Sequence, residues 1–223
     1  VLPNTFDLAG TSLRFTPRDG SFGAATASFG FRTTLGTRLT LEDDDSEAFT
    51  LAFVGVGEGD ATRRTFAVTA SRNYFATLGV DLMAGRTFTE EEERPGSQTP
   101  VAIVSYSYWK SHGGDMSMLG KTMRINARPF TVVGIAPPGF TGTSVLVSPE
   151  VWVPTGAADL VLNDFMRDSG QRSIADRRSE ALMVVGRLKT GVTEAAAEPP
   201  LRVLSTQLEQ AYPAENKNLL LTS

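Results

Sequence analysis

The chain has 223 residues, 41% of them hydrophobic and 21% charged, with 21 lysines and arginines set against 25 aspartates and glutamates for a net charge of −4. A chain of this length removes about 70% of its extended surface from water on folding, so it can build a core without disulfide or metal staples. That composition excludes disorder over the whole length, and scattered basic residues on an acidic chain argue against nucleic acid as a partner.

Further classes fall with three residue types. There is no cysteine, which removes thiol catalysis, zinc thiolate sites and disulfides. The single histidine, His112, removes every metal site that needs two imidazoles. No apolar run reaches the about 18 residues of a membrane span, since the longest, Val132 to Phe140, is broken by Gly134, Pro137, Pro138 and Gly139. The chain begins without Met or a leader, and reads as a segment of a longer protein.

Residues 1–60 are rich in Gly, Thr, Ser and Phe, and Leu35 to Leu41 and Phe49 to Val56 alternate as strands do. Asp43-Asp44-Asp45 reads as a solvated turn, lacking the further oxygen ligands of a calcium loop. Thr65 to Thr69 predicts a strand, and Ser71 an N-cap for a helix running through Leu78 to a stop at Gly79. Val80 to Met83 is extended. Thr89 before Glu90-Glu91-Glu92-Glu93 opens a helical turn whose acidic groups suit the helix dipole and read as a solvated face.

Pro100 to Val104 predicts a compact apolar strand. Ser105 then caps a short helix carrying Tyr106, Tyr108 and Trp109 and stopped by Gly113-Gly114. Lys121 to Ala136 predicts a hairpin, with Met123 and Ile125 alternating with Arg124 and Asn126, a turn near Ala127-Arg128, and Phe130, Val132 and Ile135 returning. Glu150 to Pro154 gives a short strand around Trp152. Residues 156–180 read as a long loop with a helical turn, and Leu182 to Leu188 as a strand. Leu201, Leu204, Leu208 and Ala211 share one side of a helix that ends at Tyr212-Pro213. The order of elements indicates an α+β fold with a mixed sheet.

The most tempting chemistry is Ser111-His112-Gly113-Gly114-Asp115, which is similar to the His-Gly-Gly stretch of some esterase oxyanion holes. A hydrolase also needs a nucleophile elbow, and the serine after the apolar strand, Ser105, has no flanking glycine. The plainer reading puts His112 at a helix C-terminus, where partial positive charge is favoured. Gly55-x-Gly57-x-Gly59-Asp60 lacks the Lys-Ser or Lys-Thr of a phosphate loop and reads as a hairpin turn. Gly139-Phe140-Thr141-Gly142-Thr143 fails the same test. Trp109 and Trp152 could stack on a sugar, though a buried role is commoner for an isolated Trp. No residue is singled out for catalysis, cofactor or metal.

The middle of the chain carries a series of blocks in fixed order. They are Val68-Thr69-Ala70-Ser71-Arg72-Asn73-Tyr74-Phe75, Leu78-Gly79-Val80, Ala84-Gly85-Arg86-Thr87-Phe88-Thr89 and Pro100-Val101-Ala102-Ile103-Val104-Ser105. Trp109, Gly113-Gly114-Asp115, Leu119-Gly120-Lys121-Thr122, Pro129 to Phe140 and Val151-Trp152-Val153-Pro154 follow. Residues 66–154 resemble, on these blocks, the periplasmic core domain of MacB-type and FtsX-like ABC transporter permeases. A fainter match resumes at Val185 to Val192 and at Tyr212-Pro213, after which Leu219-Leu220-Leu221 would lead back toward the membrane. The first ~60 residues match poorly. Two departures stand out: Pro199-Pro200, where the family keeps a helix, so that the last helix starts or kinks there, and His112, where an aromatic is usual.

The resemblance implies a non-catalytic domain inserted between the first two transmembrane helices of a permease subunit, on the periplasmic face of a bacterial inner membrane. It implies two lobes, a strand-helix-strand lobe from residues 1–114 and 181–223 and a smaller β-rich lobe from 115–180. It implies no cofactor, with ATP hydrolysed in a separate cytoplasmic domain. The partners implied are the permease's transmembrane helices, that cytoplasmic ATPase, a second permease copy in a dimer, and a periplasmic adaptor or lipoprotein. A free-standing secreted binding module, or a small hydrolase using His112, is the rival expectation.

Overall fold

In a computed structural model the described residues are 26–29, 46–57, 62–143, 148–161, 183–187, 193–214 and 216–217. In chain order the strands are β1 (Thr26–Phe29), β2 (Ser46–Val56), β3 (Arg63–Ala70), β4 (Ala84–Gly85), β5 (Val101–Val104), β6 (Thr122–Ile125), β7 (Arg128–Ile135), β8 (Val151–Pro154) and β9 (Met183–Arg187). The α-helices are α1 (Tyr74–Thr77), α2 (Glu90–Glu93), α3 (Tyr106–Ser111), α4 (Ala158–Val161) and α5 (Glu194–Ala211), with 3-10 turns at Met116–Met118 and Thr155–Ala157. Residues 49–57, 62–75, 80–143 and 148–161 form one compact unit, and the other described residues a second.

The larger unit is a mixed sheet in the order β2-β3-β8-β5-β7-β4. Antiparallel β2 and β3 run in register from Phe49↔Ala70 to Val56↔Arg63. β3 lies parallel to β8, β8 antiparallel to β5, and β5 parallel to β7, with a register shift between Ala102 and Ile103. β6 folds back on β7 as a hairpin, and its far edge meets β2 at a single pair, Val56↔Ile125. Through that one pair the strands curl back on themselves. Their inward side chains make one core: Ala52, Val54 and Val56 of β2, Ala67 of β3, Ala102 and Val104 of β5, Phe130 and Val132 of β7, and Val151 and Val153 of β8, plugged by Tyr108 and Trp109 of α3.

The opposite face is also covered. Trp152 packs on Phe75 and Phe140 at ring-centroid distances of 5.6 and 5.4 Å. A strand between two packed layers has no polar side, which is why β5 and β8 read as unbroken apolar runs and are buried at every residue. The β6–β7 turn falls at Asn126-Ala127, both with positive φ (49° and 62°), one residue earlier than the sequence suggests. Such pairs fit the right-handed twist of hairpin strands. The Asn126 side chain fixes the turn, accepting from the Gly55 amide at 2.8 Å and donating to the Val161 carbonyl at 2.8 Å.

In the second unit β1 and β9 pair antiparallel from Thr26↔Arg187 to Phe29↔Val184. α5 buries Ala197, Leu201, Leu204, Ser205 and Leu208. It does not start at its prolines. Thr193 caps it, accepting from the Ala196 amide at 3.3 Å, and Pro199 and Pro200 lie inside. The favourable run Glu-Ala-Ala-Ala-Glu carries the helix into a position that proline disfavours.

The expected cap at Ser71 also differs. Its hydroxyl donates to Asn73 Oδ1 at 2.7 Å, and α1 shrinks to one turn, because a side chain bonded to its neighbour two residues on competes with the helix. The strands expected at Leu35 to Leu41 and Leu219 to Leu221, the Asp43-Asp44-Asp45 turn and most of the 156–180 loop lie outside the described residues. Among the described residues no helix is long and apolar enough to cross a membrane.

Candidate functional site

Two polar constellations stand out in the larger unit. The first is built on α2. Thr89 and Glu92 form a reciprocal capping box, as their spacing of three predicts. Glu92 is not solvated, however, being buried to 7% exposure. Its carboxylate takes the fork of Arg86, at 2.9 Å from Nη1 and 2.7 Å from Nη2, and the Thr89 amide at 2.8 Å. Burial alone would raise its pKa, but the Arg86 and Thr89 bonds outweigh that and hold it below the ordinary range. The Arg86 guanidinium, bonded to Glu92, is raised in return.

Glu93 is the reverse case. Burial raises its pKa against a weaker hold by Arg72, whose amide lies 3.2 Å and whose Nε lies 3.6 Å from Oε2. Glu90 pairs with Arg94 four residues on, in the open. The expectation of four solvated glutamates therefore fails at Glu92 and Glu93. Their partners approach from the preceding loop and from the turn before α1, which local patterning cannot foresee.

The second constellation is a cleft of about 620 Å³ lined by Gly57, Tyr108, His112, Gly113, Asp115, Ser117, Met118, Lys121, Thr122, Met123, Arg124 and Val132. It opens where β6 passes beyond its single contact with β2 and the end of α3 turns into the 3-10 segment. Ser105 caps α3 as expected, accepting from the Tyr108 amide at 3.1 Å, and His112 is its C-cap. The imidazole stacks on Tyr108 at 4.0 Å, with Nδ1 2.8 Å from the Tyr108 carbonyl and 3.1 Å from Ser111 Oγ. On the Tyr108 ring sits the Arg63 guanidinium, 5.8 Å from its centroid. Arg63 also forms an ion pair with Glu150. Burial pushes the Tyr108 phenol up.

Around the rim, Asp115 Oδ1 accepts from the Ser117 amide at 2.8 Å, which together with Lys121 holds its pKa low. Lys121 Nζ donates to Ser117 Oγ at 2.8 Å, and Arg124 donates to the Ala127 carbonyl at 2.9 Å. The sequence singled out His112 here but neither Lys121 nor Arg124. The alternation of Arg124 with Met123 and Ile125 was the available signal, since it puts Arg124 on the solvent side of the hairpin.

The geometry around His112 is that of a helix end. Its Nδ1 faces a backbone carbonyl, and the nearest hydroxyl, Ser111 Oγ, also donates to the Tyr108 carbonyl at 2.9 Å. A base that activates serine needs a carboxylate on its other nitrogen, and Asp115, the one carboxylate among the described residues lining the cleft, accepts from the Ser117 amide. Trp109 and Trp152 are both buried. Among the described residues no three His, Asp or Glu side chains gather as a metal site.

A family model described as MacB-like periplasmic core domain matches residues 4–203. Among solved structures, the periplasmic region of MacB from Actinobacillus actinomycetemcomitans is similar with a TM-score of 0.53 at 19% identity, covering 77% of this chain and 68% of that one. The extracellular domain of a noncanonic ABC-type transporter, YknZ, from Gram-positive bacteria is similar with a TM-score of 0.54 at 16% identity, covering 94% of this chain and 97% of that one. At these identities the likeness is one of fold, and it matches the α+β mixed sheet. No curated protein matches the chain.

Proposed function

The chain belongs to the MacB-like periplasmic core domain family, and on that premise we propose that it is the non-catalytic, extracytoplasmic domain of an ABC transporter permease subunit. In this reading it carries ATP-driven motion from the membrane to a periplasmic partner, an adaptor or a lipoprotein, as one of two copies. The carrying observation is the family match over residues 4–203. A domain with this task must move as a body and present different surfaces in two states. The larger unit suits it, with β5 and β8 packed on both faces and the short α2 tied by three arginines.

The absence of cysteine from the chain makes the test direct. A single Cys placed at Ser117 in the complete protein should react with a membrane-impermeant maleimide on intact spheroplasts. Spin labels at the same position in two copies should change their separation when ATP is trapped. Protection from the maleimide would overturn the location, and an unchanged separation would overturn the coupling. The rival reading, a hydrolase using His112, predicts an esterase activity abolished by His112→Ala.

A further inference from the structure

The hydrogen bonds around His112 fix which of its ring nitrogens is free. A backbone carbonyl can only accept, so the 2.8 Å contact between Nδ1 and the Tyr108 carbonyl is an Nδ1–H donating. Ser111 Oγ gives its own proton to the same carbonyl at 2.9 Å, and so meets Nδ1 at 3.1 Å as an acceptor. Both contacts put the proton of the neutral ring on Nδ1 and leave the lone pair on Nε2. The ring plane is fixed as well, by its stack on Tyr108 at 4.0 Å. A backbone carbonyl that holds one ring nitrogen and thereby orients the other is the arrangement found behind metal-ligating histidines.

A second donor of a different kind lies in the same cleft. After His112 the chain folds back on the end of α3, where the Trp109 indole donates to the Asp115 carbonyl at 3.1 Å. The Asp115 carboxylate then caps the 3-10 turn Met116–Met118 through the Ser117 amide at 2.8 Å. The turn puts Met118, half-buried, on the wall of the cleft that exposed His112 also lines. Met116, two residues earlier and 49% exposed, lies outside that lining. The chain has no cysteine, so thioethers are its only sulfur donors.

The donor types select the ion. Asp115 is the one carboxylate among the described lining residues, and Lys121 lines the same cleft, so a hard divalent cation finds neither the oxygens nor the negative charge it needs. A single imidazole and a single carboxylate also fall short of a tetrahedral zinc site. Thioether sulfur beside an imidazole suits a soft ion instead, and a monovalent one meets the least repulsion from Lys121. We propose that His112 Nε2 and Met118 Sδ together bind a soft monovalent metal ion, Cu(I) or Ag(I), in this cleft. The assignment does not depend on the transporter reading.

The test is a titration of the 223-residue chain, labelled with 15N and with 13C at its methionine methyls, by Ag(I) in chloride-free buffer. One equivalent should move the His112 Nε2 resonance and the Met118 methyl together and leave Nδ1 protonated. The methyls of Met116 and Met183, 49% and 45% exposed, should stay in place, since they report adventitious binding to any accessible thioether. His112→Phe keeps a ring to stack on Tyr108 and Met118→Leu conserves volume, and each should weaken Ag(I) at least about tenfold. Met116→Leu should change nothing. If a variant fails to fold, the resonances of the parent chain still decide. The proposal is overturned if the His112 ring does not respond, if Met116 and Met183 respond as strongly as Met118, or if both folded variants bind Ag(I) as tightly as the parent. Displacement of Ag(I) by an equal concentration of Zn(II) would overturn it too.

Discussion

The α2 turn and the β6 cleft both carry charge at the surface of one unit, but they use it differently. At α2, Glu90, Glu92 and Glu93 are each answered by a guanidinium, from Arg94, Arg86 and Arg72. At the cleft, Lys121 donates to the Ser117 hydroxyl and Arg124 to the Ala127 carbonyl, and both side chains stay exposed. Charge that is matched and partly buried fixes a structure, because removing one partner strands the other. Charge that is exposed contributes little to the fold and sets the field an approaching partner meets. The first region is a fastening, the second a surface.

The sharpest way to break this contrast is at the point where α2 is pressed on the end of β8. The Thr155 hydroxyl donates to the Glu93 carbonyl at 3.1 Å, and the Gln98 amide to the Gly156 carbonyl at 3.1 Å. A Cβ at Gly156 would collide with the carbonyls of Arg94 and Glu92 and with the Ser97 hydroxyl. Two of these are backbone and cannot swing aside. Gly156→Val should cost about 2–3 kcal/mol in urea unfolding, the upper part of the usual overpacking range. A loss under about 0.5 kcal/mol, the size of an ordinary surface change, would show that α2 is not fastened there.

That fastening was the least legible part of the sequence. Thr89 before its glutamates announced the start of α2, and Ser105 announced α3, because helix starts are local. β5 and β8 were legible because a strand buried on both faces is apolar at every residue. The burial of Glu92 and the partial burial of Glu93 were not, since Arg72 lies 21 residues from Glu93 and no periodicity links them. The β6–β7 hairpin was legible as a hairpin, yet its far edge meets β2 across 69 residues of chain, from Val56 to Ile125. Hence His112 was found and the cleft around it was not. One is a residue type, the other a product of how the sheet curls.

A smaller effect separates buried Glu92 from partly buried Glu93. Glu92 is lowered in the fold, so its stabilisation is present above the ordinary glutamate pKa of about 4.3 and is lost as pH falls through its folded value. Glu93 is raised, so its favourable contribution is complete below about 4.3 and is lost as pH rises through its folded value. Glu92→Gln keeps an acceptor for Thr89 but loses the Arg86 pair, which is half exposed on the arginine side. It should cost about 1 kcal/mol at pH 7, a deficit that fades under acid. Glu93→Gln should match or exceed the parent at pH 7 and lose that advantage as pH falls toward about 4.3. Parallel curves for the two variants in thermal melts from neutral to acid pH would remove the distinction.

The smallest expected effect falls in the cleft, and it bears most on the contrast. Lys121 and Arg124 are exposed, and the Ser117 hydroxyl and the Ala127 carbonyl to which they donate lie at exposed residues where water can replace them. Reversing both charges to Glu should therefore change unfolding free energy by no more than about 0.5 kcal/mol. A second acidic cluster raises the net negative charge of the chain, and that repulsion should show only at low salt. Equilibrium urea unfolding at low and high ionic strength measures both. A salt-independent loss of about 2 kcal/mol would be of the size that follows breaking a buried network, and would mean that the cleft's cations hold the β6–β7 hairpin together. A near-zero change would show that the fold does not depend on either side chain, in contrast to the matched charges at α2.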